Sequence, residues 1–555
     1  MRILPFAVLA LAAGCDFDAQ LKACAEAERC LIPNASKPTL RFPHNGAGLG
    51  SASAVTQLAW SPTRPYLAWD FEGDNTWLFR IQVHQCDHGQ ALADCPFSTE
   101  VSDADEPDIP GTTYSLERDL QIGSRYWWRV RGCHTSEPGT PCGPWSDARY
   151  FDVGRPESIP NDFEGTGRGQ LVVAGQHPAN GVMPEPLYLF RDRNDGQGIQ
   201  FWKELDVGPP PGLTSSPAYG TVISGAGDLN GDGYTDFAVA YRPSFGTGLD
   251  EAVPLQVFLS SSSGPGSATP ITLGPQTDGF GLPLGRAGDV NGDGYSDLAV
   301  CQATLKQVVV YYGGSSGPSN AVAMQATLPV PNADLSKANC AFAALLDVDA
   351  DGYDDIVVSG TGQVSVFRGR EAFGPWTSSV DIPSPVGATT FGSSMAGGDF
   401  NGDGHGDLVV AGGNGKAYLY LGGPQWFSGQ FPPPIAFDIG AGTVAPAGDV
   451  NNDGLADLVT GGGSTGQVRI YLGQATGAPK SVAVLSNGAR PNFGVSFAGA
   501  GDLTGDSYDD VAVGSTGGVE IYRGSPSEAE VGTLPISVSP ANGSVQFGIG
   551  LAPAY

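Results

Sequence analysis

Most of the chain beyond residue 160 repeats one pattern of apolar and polar positions. A short run rich in small residues, often with Phe-Gly, comes first (GFGLPLGRAG, TTFGSSMAGG, NFGVSFAGAG). Nine positions follow in which acidic or amide side chains stand at every second place. An unbroken β-branched run comes next (FAVA, LAVC, IVVS, LVVA, LVTG, VAVG), then a run alternating apolar and aromatic residues (LQVFLS, QVVVYYGG, QVSVFRG, KAYLYLGG, QVRIYLG, VEIYRG). After a variable loop, a fourth run such as ITL, SVAVL or PIAFDI closes the unit. β-branched and period-two runs of this length predict strands. Four strands per unit, repeated radially, predict the blades of a β-propeller.

The acidic loops recur as DLNGDGYTD (228–236), DVNGDGYSD (289–297), DVDADGYDD (347–355), DFNGDGHGD (399–407), DVNNDGLAD (449–457) and DLTGDSYDD (502–510). A decayed copy, DFEGTGRGQ, occupies 162–170. In chain order these are the first (162–170) to seventh (502–510) loops, roughly 50 to 65 residues apart, so one unit is used seven times. The first unit lacks its Phe-Gly strand, whereas the carboxy-terminal SVQFGIGLAPAY has one with no loop after it. Residues 547–552 are therefore expected to complete the sheet begun around Asp162, which removes the open edges of the ring.

Side chains at positions 1, 3, 5 and 9 of the loop, with the backbone carbonyl at 7, make an oxygen-only shell suited to Ca²⁺. The expected ligands are Asp228, Asn230, Asp232, Tyr234 and Asp236; Asp289, Asn291, Asp293, Tyr295 and Asp297; Asp347, Asp349, Asp351, Tyr353 and Asp355; Asp399, Asn401, Asp403, His405 and Asp407; and Asp449, Asn451, Asp453, Leu455 and Asp457. The residue at position 7 (Tyr234, Tyr295, Tyr353, His405, Leu455) contributes only its carbonyl. Gly294, at position 6, lets the chain turn around the ion. An EF-hand opens with the same pattern, but there a helix follows, and here β-branched residues follow. Carboxylates about 5 Å apart repel by roughly 3 kcal/mol per pair at an effective dielectric near 20. Without a cation the loops oppose folding. The seventh loop has Thr504 at position 3 and Ser507 in place of the turn glycine, which leaves its metal open. The first has Glu164, Thr166 and Gln170 and is expected to hold none. The competing reading is a set of acidic β-turns without metal.

The Phe-Gly strand, the DxNGDGYxD loop and the apolar strand after it resemble FG-GAP repeats, the blade sequence of the integrin α-chain head and of many bacterial extracellular proteins. The resemblance spans about 160–555 and implies an all-β, seven-bladed propeller. It also implies calcium loops on the face opposite the ligand, supporting the scaffold without touching the partner.

Ahead of the repeats, 36–154 alternates strand-like runs with turn clusters: YLAWDF, WLFRIQVHQC, TTYSLERDL, YWWRVRGC and ARYFDVG. Strands at this spacing predict a β-sandwich. LQIGSRYWWRVR resembles the penultimate-strand region of a fibronectin type III domain, which makes Tyr126 the corner tyrosine and Trp69 the core tryptophan. The domain is expected to act as a spacer.

Composition adds compartment and excludes one partner class. With 81 Gly, 44 Pro and charged residues at 15% of 555, the chain suits tight turns and not long helices. Net charge is −30, with 28 Lys plus Arg against 58 Asp plus Glu, which excludes nucleic acid as a natural partner. The opening MRILPFAVLALAAGC has one basic residue, an apolar run too short to span a bilayer and small residues before Cys15. It predicts an export signal over 1–14. Ala12 to Cys15 also resemble a bacterial lipobox, which implies lipidation of Cys15, a stalk over 15–35 and an envelope or cell-surface location; ordinary secretion is the alternative. The other eight cysteines suit disulfides, with sequence neighbours suggesting 24 with 30, 86 with 95, 133 with 142 and 301 with 340. Crossing Cys86 to Cys133 stays open, and zinc is disfavoured by the lack of any CxxC pair.

Catalytic patterns are few. GGSSG (313–317) and GGSTG (462–466) satisfy GxSxG, but both lie among blade turns with no helix after them. No HExxH or P-loop occurs, so no catalytic residue is assigned and an enzyme is not expected. Loops around Trp202, Trp376, Trp426 and Phe427, and an insertion over 178–200, break the repeat and either form a binding face or cover blade edges. The expectation is a monomeric adhesion or protein-interaction module with an extracellular protein ligand. Carbohydrate binding through Trp376 and Trp426 is the second reading, and a polysaccharide-degrading enzyme the third.

Overall fold

The residues described by the computed structural model lie between 38 and 551, without 50–65, 87–108, 116–124, 134–141, 154–160, 175–186, 206–217, 243–253, 331–340, 540–549 and several shorter stretches. The expected signal, Cys15 and stalk lie outside them. The described residues are all-β apart from turns, the short 3₁₀ segment Trp426–Ser428 and a 3₁₀ residue at Leu305. None of their helices is long and apolar enough to cross a membrane.

Two sheets precede the repeats. Thr39–Phe42, Tyr66–Asp70 and Thr113–Ser115 form one; Ala47–Leu49, Arg149–Val153, Arg125–Cys133, Leu78–Cys86 and Ile109–Pro110, in that order, form the other. Leu78–Cys86 buries alternate residues, as a strand with one face on a core must. Leu67 and Trp69 of the first sheet share one apolar cluster with Ile81, Val83, Tyr126, Trp128, Val130 and Phe151 of the second. Trp69 and Tyr126, both singled out from sequence, are buried there, Tyr126 stacked on Phe151 at 5.8 Å.

Beyond them the described residues form seven antiparallel four-stranded sheets. In each of the last six the acidic loop is the hairpin between first and second strand, and the Asp at position 9 begins the second strand. The unbroken β-branched runs become second strands buried on both faces, as in Asp297–Gln302, where every residue is buried. Fourth strands such as Val380–Pro383 alternate, because they have a solvent side. Apolar clusters bridge neighbouring sheets; one joins Val290, Ala299, Val308 and Val310 to Ile356, Val358 and Phe367 of the next. Residues 178–200, expected as an insertion, instead supply Leu187–Asp192 and the first two residues of Ile199–Leu205 in the first ring sheet.

The inner strands contact one another in a cycle that passes from each sheet to the next and returns through Gly550–Leu551. This terminal strand pairs antiparallel with Leu171–Ala174, Gly550 opposite Ala174 and Leu551 opposite Val173. The first ring sheet is thus built from both ends of the repeat region.

A second cycle runs through the loops. The position 8 N–H of each loop donates to the position 1 carbonyl of the loop before it: Thr235 to Asp162, Ser296 to Asp228, Asp354 to Asp289, Gly406 to Asp347, Ala456 to Asp399, Asp509 to Asp449, and Gly169 to Asp502, at 2.9 to 3.2 Å. Each such bond contributes only about 1 kcal/mol. The series closes on itself, so the loops form one interlocked layer.

Cys133 and Cys142 are bonded, with S–S 2.07 Å, which rules out the crossing of Cys86 to Cys133. Cys86 and Cys301 are disulfide-bonded as well. The other cysteines lie outside the described residues.

Candidate metal centres

The loops are built from the ninth position outward. In the second to sixth loops this Asp is fully buried. Its Oδ2 accepts the position 2 N–H of Leu229, Val290, Val348, Phe400 or Val450 at 2.7 to 3.0 Å. Its Oδ1 accepts an N–H just beyond the third strand, from Ser260, Gly313, Gly369, Gly422 or Gly473, at 2.8 to 2.9 Å. Position 9 therefore staples the loop to its own sheet, whatever else it binds. The Gly313 N–H is part of this staple, which accounts for GGSSG as blade architecture. A Cβ on Gly313 would sit 2.4 Å from the Ser296 carbonyl oxygen.

The remaining acids wrap inward. Position 1 accepts the position 5 N–H (Asp232 to Asp228, 3.0 Å; Asp293 to Asp289, 3.1 Å; Asp403 to Asp399, 3.1 Å; Asp453 to Asp449, 2.9 Å). Position 5 accepts the position 7 N–H of Tyr234, Tyr295, His405 or Leu455 at 2.9 to 3.1 Å. The Asn at position 3 donates to position 5 through Nδ2 in Asn230, Asn291, Asn401 and Asn451, at 2.8 to 2.9 Å.

Electrostatically the loops are unbalanced. Asp236, Asp297, Asp355, Asp407 and Asp457 are pushed well above the usual carboxylate range, first by burial and then by the position 1 carboxylate. Burial likewise raises Asp232 and Asp293. At Asp403 burial also acts upward but is outweighed by hydrogen bonds from the His405 side chain and backbone and from Asn401, so its carboxyl is lowered. The His405 ring, expected to play no part, stands with Nδ1 3.2 Å from Asp403 Oδ1.

The fourth loop brings its acids closest. Oxygens of Asp347, Asp349 and Asp355, all buried, lie within 4.8 Å of one another. Arg368 Nη2 is 2.5 Å from Asp349 Oδ2; Asp351 lies outside the described residues. Buried oxygens without nitrogen or sulfur donors fit a hard divalent cation such as Ca²⁺.

The first loop balances its acids with side chains of its own sheet. Gln170 replaces the ninth Asp: its Oε1 accepts the Phe163 N–H at 2.6 Å, keeping half of the staple, and its Nε2 points at Asp162 Oδ1 at 3.4 Å. An amide N–H stands where a cation would balance the acid. Glu164 is paired with Arg191 at 2.7 Å, and Arg168 with Asp192. The seventh loop keeps the Asp510 staple through Thr504 at 2.8 Å and Gly524 at 3.2 Å.

Two features escaped the sequence reading. Position 4 is left-handed, with φ of 71° at Gly231, 70° at Gly292, 74° at Gly402, 56° at Asn452 and 72° at Gly505. Gly294 lies outside the described residues, but Gly454, also at position 6, has φ 90°. Position 7 packs on the position 4 glycine of the preceding loop: Tyr295 on Gly231, Tyr353 on Gly292, Leu455 on Gly402 and Arg168 on Gly505. The side chain at position 7 thus locks neighbouring loops, a role apart from its carbonyl.

The sixth loop touches the first domain. Arg149, 4% exposed, donates from Nη2 to the Asn452 carbonyl at 3.0 Å and to Asn452 Oδ1, and lies 3.5 Å from Asp449 Oδ2. Burial raises Asp449 to about 7, with Arg149 acting against that shift.

The aromatic platform expected for sugars is absent at two of its positions. Trp376 is 2% and Trp426 1% exposed, Trp426 Nε1 donating to the Leu421 carbonyl at 2.6 Å. Both fill cores between sheets. Phe427 packs against the same core as Trp426 and lies under Arg368. Trp202 lies between Arg191 and Lys203, 5.1 and 4.4 Å from its ring.

Comparison with known proteins agrees with this geometry. An FG-GAP-like repeat family matches residues 228–300, 347–410, 399–460 and 449–513. The matched repeats are similar to FG-GAP repeats. Integrin alpha-6 of Gallus gallus is 32% identical over 168 residues, 29% of this chain and 15% of its own length. Human integrin alpha-7 is 31% identical over 359 residues, 59% of this chain and 28% of its own length. The chain thus spans less than a third of the integrin α subunits it matches. Among solved structures, a Lactobacillus plantarum protein aligns with TM-score 0.46 and 11% identity over 69% of this chain and 99% of its own. The periplasmic gluconolactonase of Pseudomonas aeruginosa aligns with TM-score 0.44 and 14% identity over 68% and 98%. The FG-GAP-like matches and the integrin α relatives support a β-propeller.

Proposed function

We propose that the protein is an exported, surface-anchored seven-bladed FG-GAP propeller, held together by calcium in its second to sixth loops, that binds an extracellular protein. The closed series of loop-to-loop hydrogen bonds carries this reading. It makes the acidic loops one continuous layer, so a cation that relieves repulsion in one loop also holds its neighbours in place. Asp, Asn and a backbone carbonyl at positions 1, 3, 5, 7 and 9 would hold the ion, and Gln170 replaces it in the first loop. The two-sheet domain over 36–154, read as fibronectin type III-like, spaces the ring from a membrane to which Cys15 would be lipid-anchored. With Trp376 and Trp426 buried, the protein-binding reading is preferred to the carbohydrate one.

The test is binding of the purified ring and the full chain to immobilised envelope and host extracellular-matrix proteins, beside a glycan array, with calcium and with chelator. Saturable, calcium-dependent binding to a defined protein is expected. Binding to glycans alone, or to neither, contradicts the reading.

A further inference from the structure

The sixth loop has a residue at position 4 and a contact that its neighbours lack, and the two meet. Position 4 is glycine in the second, third and fifth loops but Asn452 here. Asn452 keeps the left-handed backbone, φ 56°, and adds a side-chain acceptor. Its carbonyl and Oδ1 both receive Arg149 Nη2, from the end of strand Arg149–Val153 in the first domain. Arg149 also lies 3.5 Å from Asp449 Oδ2, the oxygen that accepts the Gly454 N–H at 2.8 Å. Asp509 of the seventh loop closes the site from the other side, accepting the Asp449 N–H at 2.8 Å. A guanidinium so buried requires acceptors and opposite charge, and this loop provides both.

We propose that the sixth loop is the docking site of the first domain, where the Arg149 guanidinium and a calcium ion compete for Asp449. This rests on the calcium reading above. A dication held by Asp449 and a guanidinium beside the same carboxylate repel at short range. Calcium binding therefore weakens docking, and by linkage docking weakens calcium binding at this loop by the same factor. The first domain is clamped to the ring at low calcium and released at high calcium, while the remaining loops stay filled and the ring intact.

Calcium bound to the full chain is measured by equilibrium dialysis across a free-calcium series, for the wild type, Arg149→Gln, Arg149→Lys, Asn452→Gly and Asp289→Asn. The separation of the two domains is followed by distance measurement between paired spin labels. Arg149→Gln is expected to fill one site at a free calcium at least ~10-fold lower than wild type, within the usual span of coupling between sites. Arg149→Lys should stay close to wild type, and Asn452→Gly should shift in the direction of Arg149→Gln with the first domain untouched. In the wild type the domains should separate as calcium rises through about 1 mM, the upper range for extracellular calcium modules. Should Arg149→Gln and Asn452→Gly titrate as wild type while Asp289→Asn loses an ion, the competition is refuted and the calcium reading stands. Should no protein bind calcium, both fail together.

Discussion

Position 9 combines two roles that the sequence presents as one. Asp297 reads as a ligand because of its spacing from Asp289 and Asp293. Its bonds to Val290 and Gly313 were not legible there, because the second donor lies beyond a whole hairpin. The two roles separate by mutation. In chelator, Asp297→Ala leaves two buried N–H groups without acceptors, at about 1 to 3 kcal/mol each. Asp293→Asn in chelator leaves no buried N–H without an acceptor and removes one repelling charge, so it should be as stable as wild type or more so. Urea unfolding of both variants checks this, and equal destabilisation would refute the staple. The raised ninth carboxyls also set a pH dependence for the metal-free ring. An acid whose folded pKa exceeds its unfolded one destabilises the fold when ionised, fully above the folded pKa and less as pH falls toward the ordinary value near about 3.9. In chelator the melting temperature should rise from pH 8 toward about pH 5. With calcium the advantage over chelator should shrink over that interval, because ligation needs the ionised form. A metal-free melting temperature that falls with acid would contradict this.

At the scale of elements, the β-branched runs identified second strands because those strands are buried on both faces and so are apolar through their middle. Leu187–Asp192 was missed although LYLFRD carries the alternation of a third strand. Its sheet lacks a first strand in sequence order, and so 178–200 read as an insertion. For Trp376 and Trp426 the sequence left a binding face and a covering role both open, and the structure favours the covering one. Irregular segments between strands face solvent in most folds, whereas here the packing of adjacent sheets draws them into the core. The closing strand was legible because the first unit lacks a Phe-Gly strand and 543–555 carries a spare one. Ending the chain at residue 539 removes Gly550–Leu551 and exposes the edge of Leu171–Ala174. The truncated ring should melt lower and aggregate, as an open edge invites. Light scattering during a thermal ramp is the check, and behaviour identical to the full chain would show that closure does not depend on this strand.

Across the whole molecule, stability is decided by small terms that recur. With a dissociation constant of about 0.1 to 1 mM, a tenfold excess of calcium stabilises one site by about 1.4 kcal/mol. Five such sites give about 7 kcal/mol, comparable with the 5 to 15 kcal/mol that keeps a domain folded. On the proposed calcium reading no single loop would decide the outcome, but all of them together would, because each is bonded to the next. The most direct measurement is thermal unfolding of the purified ring in about 5 mM calcium and in chelator, with metal content determined by elemental analysis. Four to five calcium ions per chain and a melting temperature lower by about 10 °C or more in chelator are expected. An unchanged melting temperature with no bound metal would contradict the account.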